Sequence, residues 1–126
     1  MTHFTRREAI LGTAGLAAGV ALPSLACAQG AWPNKPVNII VPFPPGGGTD
    51  AFARPLFASI TKSSGRQFLI DNKGGAGGTL GAGIAAKAAP DGYTFFMGAV
   101  HHAIAPSMYP KLDYNIETDF IPVGLV

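Results

Sequence analysis

The chain is poor in cysteine: Cys27 is the only one in 126 residues, and it lies in a segment that looks marked for removal. A mature chain without cysteine has neither disulfides nor a thiolate nucleophile, so its core must hold by packing alone. Charge of one sign is lacking as well. Of nine basic and seven acidic residues, Arg6, Arg7 and Glu8 leave with the leader, which makes seven against six and a net charge near +1. With no clustered Lys or Arg, nucleic acid and anionic membrane surfaces are excluded as expected partners. No apolar run reaches the ~20 residues that a membrane span needs, which argues against an uncleaved anchor. No Gly-Lys-Ser/Thr follows any glycine cluster, so there is no P-loop, and no motif places a Ser-His-acid set. A small ligand remains the better expectation.

The leader is read as residues 1–28. Arg6 and Arg7 precede a weakly apolar run over 9–22, followed by Pro23 and by Ala26-Cys27-Ala28, which has the small-x-small form of a signal-peptidase site. Residues 5–11, TRREAIL, resemble a twin-arginine signal, although Ala9 stands where Phe is usual and Leu11 where Lys is usual. The general secretory route is the alternative. Ser24 stands where a lipoprotein signal would have Leu, which disfavours lipidation at Cys27. Export to the periplasm with cleavage near Ala28 is therefore expected. It leaves residues 29–126, 98 in all, enough for one modest core.

What is present in abundance is glycine, arranged around one stretch, residues 37–50, VNIIVPFPPGGGTD. Its β-branched run reads as a buried strand over 37–43, Pro44 and Pro45 end the ladder, and Gly46, Gly47 and Gly48 open a loop of bare amides. Thr49 is a good N-cap and Asp50 a good first-turn residue for a helix over 49–64, so loop amides and the positive helix end face one spot that favours an anion. Pro55 predicts a first turn kinked or tightened near Arg54.

Gly65 ends that helix, and QFLID over 67–71 is a second strand. Residues 74–78 form a second glycine loop opening a helix over 79–88 with Thr79 as its cap. This helix is built from alanine and glycine, so it should press close to a sheet. A turn at 90–92 leads to a third strand over 93–98, a loop over 99–103 carries His101 and His102, a helical turn covers 104–109, and DFIPVGLV over 119–126 begins another strand. This alternation implies an α/β fold with a parallel sheet covered on both faces. Ligands of such sheets sit beyond the carboxyl ends of the strands, where the loops over 43–50, 72–79 and 99–103 can converge.

The simplest role for Asp50 is to accept hydrogen bonds from loop amides and fix their direction; the functional alternative is contact with the ammonium of an amino-acid ligand. His101 and His102 are expected to point apart as sequence neighbours, with no Cys, Asp or Glu nearby to complete a metal sphere. One of them touching a ligand is the functional alternative. Gly46-x-Gly48-x-x-Ala51, with Asp71 at the end of the second strand, also fits a dinucleotide fingerprint, which makes an oxidoreductase domain the main rival reading. Pro44 and Pro45 intrude on that motif, and it leaves the second glycine loop unexplained.

Three segments, WPNKPVNIIVPFPPGGGTDAFAR, DNKGGAGGTLGAGIAAKAAPDGYTFFMG and APSMYPKLDYNIETDFIPV, closely resemble the Bug-type receptors, the extracytoplasmic solute receptors of tripartite tricarboxylate transporters. The resemblance covers nearly all of the mature chain. It implies the first lobe of a two-lobe, type II-like periplasmic binding protein, with the second lobe missing and the chain truncated. It implies a non-enzymatic receptor for a small organic acid or acidic amino acid, with membrane transporter subunits as partners and no cofactor. The candidate ligand-binding residues, in the three loops, are Phe43, Pro44, Gly46, Gly47, Gly48, Thr49, Asp50, Gly77, Gly78, Thr79, His101 and His102; many of the receptors that the chain resembles carry hydroxyl residues where it has the two histidines. A non-functional fragment is the third alternative.

Overall fold

A computed structural model describes residues 32–126; the expected leader and its cleavage point lie outside them. Three strands, β1 (Val37–Val41), β2 (Phe68–Asn72) and β3 (Thr94–Phe96), alternate with helices α1 (Gly48–Ser64), α2 (Thr79–Ala86) and α3 (His101–Met108), with a 3-10 turn at Ala76–Gly78 before α2. The sheet is parallel throughout, in the order β2-β1-β3. Val37 pairs with Phe68 and Val41 with Asn72 on one side of β1, and Asn38 with Thr94 and Ile40 with Phe96 on the other.

Among the described residues the first strand is thus the central one. Its side chains alternate between two covered faces, so Val37, Ile39, Ile40 and Val41 are all buried. Val37, Ile39 and Val41 pack with Ala53 of α1, and Phe57, Phe68, Ile70 and Phe95 close round them. On the opposite face α2 comes down on the chain just past β1. A Cβ on Gly81 would lie 2.6 Å from the Lys73 carbonyl oxygen and 2.8 Å from Pro42 Cα, so the small residues of α2 permit the close approach expected of them.

The expected strands sit within one or two residues of the observed ones, apart from the last. Residues 119–126 form no strand, and Ile121, Val123 and Leu125 are exposed. The run has strand composition, but a strand persists only where a neighbour takes its backbone hydrogen bonds, and none of the described residues does so. The helix α1 begins at Gly48 with Gly47 as its cap residue and no side-chain cap, which corrects the assignment of Thr49. It runs through Pro55 as one 17-residue helix, and Gly65 ends it at φ 65° with its N–H bonded to the Thr61 carbonyl. The histidines lie in the first turn of α3, not in a loop.

Candidate functional site

The chain leaves β1 to one side, for β2, and then crosses to β3 on the other side of β1, and the region beyond the carboxyl ends of the strands is where ligands of open parallel sheets bind. Three connections meet there. The first, after β1, is held by its own turn: Gly47 N–H donates to the Pro44 carbonyl at 3.2 Å and Ala51 N–H to the Gly47 carbonyl at 2.8 Å. Among the described residues the N–H groups of Gly48, Thr49 and Asp50 have no acceptor, as expected of the first turn of a helix. Gly46 alone in this loop needs glycine for its angle, with φ at 84°; Gly47, at φ −72° and ψ 167°, adopts extended backbone open to any residue.

Asp50 is turned inward and buried. Its Oδ2 accepts from Gly46 N–H and from Arg54 Nε, each at 2.8 Å, and its Oδ1 accepts from Asn72 Nδ2 at 2.9 Å. Arg54, Gly46 and Asn72 together hold its carboxyl well below the usual carboxylate range, and Asp50 in turn raises Arg54. Asn72 ties the first loop to β2, donating to the Phe43 carbonyl at 3.1 Å and accepting from Arg54 at 3.1 Å. The carboxylate of Asp50 beside a site that favours an anion therefore has its counter-charge built in, in Arg54.

The second loop reaches the third through the histidines. His102 is buried; its Nδ1 lies 3.1 Å from Ala99 N and its Nε2 lies 3.3 Å from the Gly78 carbonyl oxygen. A tautomer protonated on Nε2 satisfies both contacts. His101 lies against it with ring centroids 4.0 Å apart and planes tilted by 44°, and meets Phe43 edge-on at 4.9 Å. The expectation that the two side chains point apart is thus corrected: both Nε2 atoms lie over Gly78, where a Cβ would come within 2.8 Å of one and 3.1 Å of the other. The Nε2 of His101 is buried without a hydrogen-bond partner.

Thr79 does not cap α2. Gly78, at φ 90°, is the cap residue, and the Thr79 hydroxyl donates to the Ala76 carbonyl at 2.8 Å. The crevice accordingly gathers Phe43, Gly78, His101 and His102, with Gly46 and Asp50 joined to it through Asn72, while Thr79 lines a separate cleft of about 100 Å³ with Leu80 and Lys87. Another cleft, of about 420 Å³, lies between α3 and residues 112–117. Neither is lined by the first glycine loop or the histidines. Sequence reasoning missed Arg54 and Asn72 as parts of the site. The i,i+4 spacing of Asp50 and Arg54 on one helix was a signal for the first; nothing local signals Asn72.

A three-stranded parallel α/β unit whose loops converge beyond β1 and β3, one of them opening a helix with free amides, is the architecture of a lobe of a periplasmic binding protein. Residues 52–125 match the family described as tripartite tricarboxylate transporter family receptor, and the chain belongs to that family. BugT of Bordetella pertussis is 37% identical over 98% of this chain, and a UPF0065 protein of Agrobacterium vitis is 45% identical over 83% of it. Among solved structures, MatC from Rhodopseudomonas palustris with bound malate aligns at a TM-score of 0.66 and 43% identity, covering 73% of this chain and 32% of that one. The chain spans 38% and 30% of the lengths of those two curated relatives. The family is one of transport receptors and not of enzymes, so the oxidoreductase reading of Gly46-x-Gly48-x-x-Ala51 falls.

Proposed function

We propose that this chain is the first lobe of an extracytoplasmic receptor that takes up a small carboxylate and presents it to membrane subunits of the tripartite tricarboxylate type, after export to the periplasm and removal of residues 1–28. The observation that carries this reading is the run of unpartnered amides at Gly48, Thr49 and Asp50, at the positive end of a 17-residue helix and beside a loop with no side chain over it. In this reading a ligand carboxylate accepts from those amides and from the Thr49 hydroxyl, with Phe43 and Pro44 as the adjoining wall. Gly46, Gly47, Gly77, Gly78, His101 and His102 form the rest of the contact surface. Two relatives hold ligands of this class: MatC has malate, and a Rhodopseudomonas palustris protein at TM-score 0.50 has adipate.

Both oxygens of Asp50 are already engaged by Arg54, Asn72 and Gly46, which leaves no free carboxylate there for an ammonium group. An organic acid fits better than an acidic amino acid. The test is Gly47→Val, at a position whose backbone angles any residue adopts but where a Cβ would stand 3.3 Å from the Pro44 carbonyl oxygen, so the branched side chain displaces the turn that carries the amides. Titration of the chain with malate and adipate, followed by amide chemical shifts, is expected to show affinity about tenfold weaker in the variant, the loss of one or two hydrogen bonds. Equal affinities in the two proteins, or shifts that avoid residues 46–50, would sink the assignment.

A further inference from the structure

A buried ring nitrogen with no partner is uncommon in a folded protein and calls for an explanation. His101 Nε2 is such an atom, and it stands at the junction of all three loops, with Phe43 against its ring, the backbone of Gly77 and Gly78 close by and His102 tilted against it. The positive φ angles of Gly77 and Gly78 bring that backbone close to the rings; any Cβ on Gly78 would occupy the place where the two Nε2 atoms point. The pair and the turn are built as one unit.

The two histidines are not equivalent. His102 has both nitrogens engaged, with Ala99 and Gly78, and Phe96 packs edge-on at 5.0 Å. His101 has a nitrogen in reserve. We infer that His101 makes occupation of this crevice proton-linked: a carboxylate bound beside the pair is accompanied by a proton taken from solvent onto His101, so binding tightens as the pH falls through the imidazole range. The inference rests on the carboxylate-receptor reading given above.

Desolvation, and after it the neighbouring His102, hold His101 in its neutral form, while the Gly77 backbone favours the charged one. The groups facing it are His102 on its own helix, the Phe43 ring from the first loop, and the backbone of Gly77 and Gly78 from the second, with the Tyr109 hydroxyl beyond Gly77. Among the described residues no carboxylate or ammonium group forms an ion pair with it. An empty crevice therefore offers an imidazolium no counter-charge, and a bound carboxylate supplies one. The proton adds to Nε2 or Nδ1 of the neutral ring, giving imidazolium beside carboxylate. No bond of the ligand changes.

By linkage, one proton taken up on binding raises the affinity by at most about tenfold per pH unit, between the free and bound values of the group. The experiment titrates the full chain with malate and adipate at pH values between 5 and 8, following the His101 Cε1–H resonance with and without the acid. The expected result is an affinity about fivefold or more higher at pH 5.5 than at pH 7.5, with the His101 midpoint moved upward by the ligand. His101→Asn is expected to flatten the pH profile. Binding that is independent of pH with an unmoved His101 midpoint overturns the proton link and leaves the receptor reading standing. Absence of binding by either acid at every pH overturns both together. Should His101→Asn fail to fold, the resonance of the unmodified chain decides by itself.

Discussion

The two glycine loops look alike as sequence and differ as structure. Around Gly46 and Gly48 a Cβ would meet nothing within 4 Å, whereas at Gly74, Gly75, Gly77 and Gly78 it would lie 3.0 Å or less from Pro44, Leu80, the Tyr109 hydroxyl and His101. Gly46 and Gly48 keep a surface bare, with only a Cβ on Gly47 coming close, 3.3 Å from the Pro44 carbonyl oxygen, and glycine in the second loop lets other parts of the chain come close. Their supports differ too, with an ion pair and an amide side chain under the first and two imidazoles in contact over the second. The first therefore offers bare amides to a ligand, and the second offers it the histidines that its close packing positions.

The contrast can be broken most severely at Asp50. Replacing it with Ala removes the common acceptor of Gly46, Arg54 and Asn72, and the melting temperature is expected to fall further than for any other change named here, as read by thermal unfolding. A fall no larger than that of an exposed substitution would mean the triad does not hold the loop. Gly78→Ala comes next: the backbone at φ 90° and the crowding by both histidines predict a loss of about 2 kcal/mol in denaturant unfolding. Gly48→Ala, in the other loop, should change stability by no more than about 0.5 kcal/mol. Comparable costs at the two positions would erase the distinction between the loops.

Acid should separate them again. His101 is held below its ordinary value, so its neutral form's contribution is complete above about pH 6.5 and is lost as the pH falls through the folded value. Asp50 is likewise held low, so its contribution is complete above about pH 4 and is lost only as the pH falls further. Stability measured against pH is expected to decline in two steps, the upper removed by His101→Asn and the lower reduced by Asp50→Asn. A single decline untouched by either variant would contradict both environments.

Much of this was legible in the residues themselves. The β-branched run before Pro44 marked the central strand, Gly65 marked the end of α1, and the alanine and glycine of α2 marked its closeness to the sheet. These are local signals, carried by side-chain shape and backbone freedom within a few positions. What the residues did not disclose depends on distant partners. Asn72 reaches Asp50 and the Phe43 carbonyl across the gap between two strands. Adjacent positions on a helix ordinarily diverge, yet His101 and His102 converge because Phe43, Phe96 and the Gly78 backbone leave their rings one place to lie. Residues 119–126 carry strand composition, but composition cannot supply a ladder partner. Thr49 and Thr79 were plausible caps by type, but each helix begins earlier than that reading needs, with Gly47 and Gly78 as the cap residues; the left-handed backbone at Gly78 favours glycine there.

Among the described residues the strand at the centre of the sheet is also the first, and this bears on how fast this unit can assemble. During synthesis or refolding, Val37–Val41 has no neighbour until Phe68–Asn72 returns, and its second edge waits for Thr94–Phe96. Each closure sets the entropy of a long intervening loop against the gain from pairing. The most apolar segment of the fold is therefore the one that stays unpaired longest, and the rate-limiting event is expected to be the return of β2 across α1. Substitutions that weaken α1 without touching the sheet should then slow folding more than they speed unfolding.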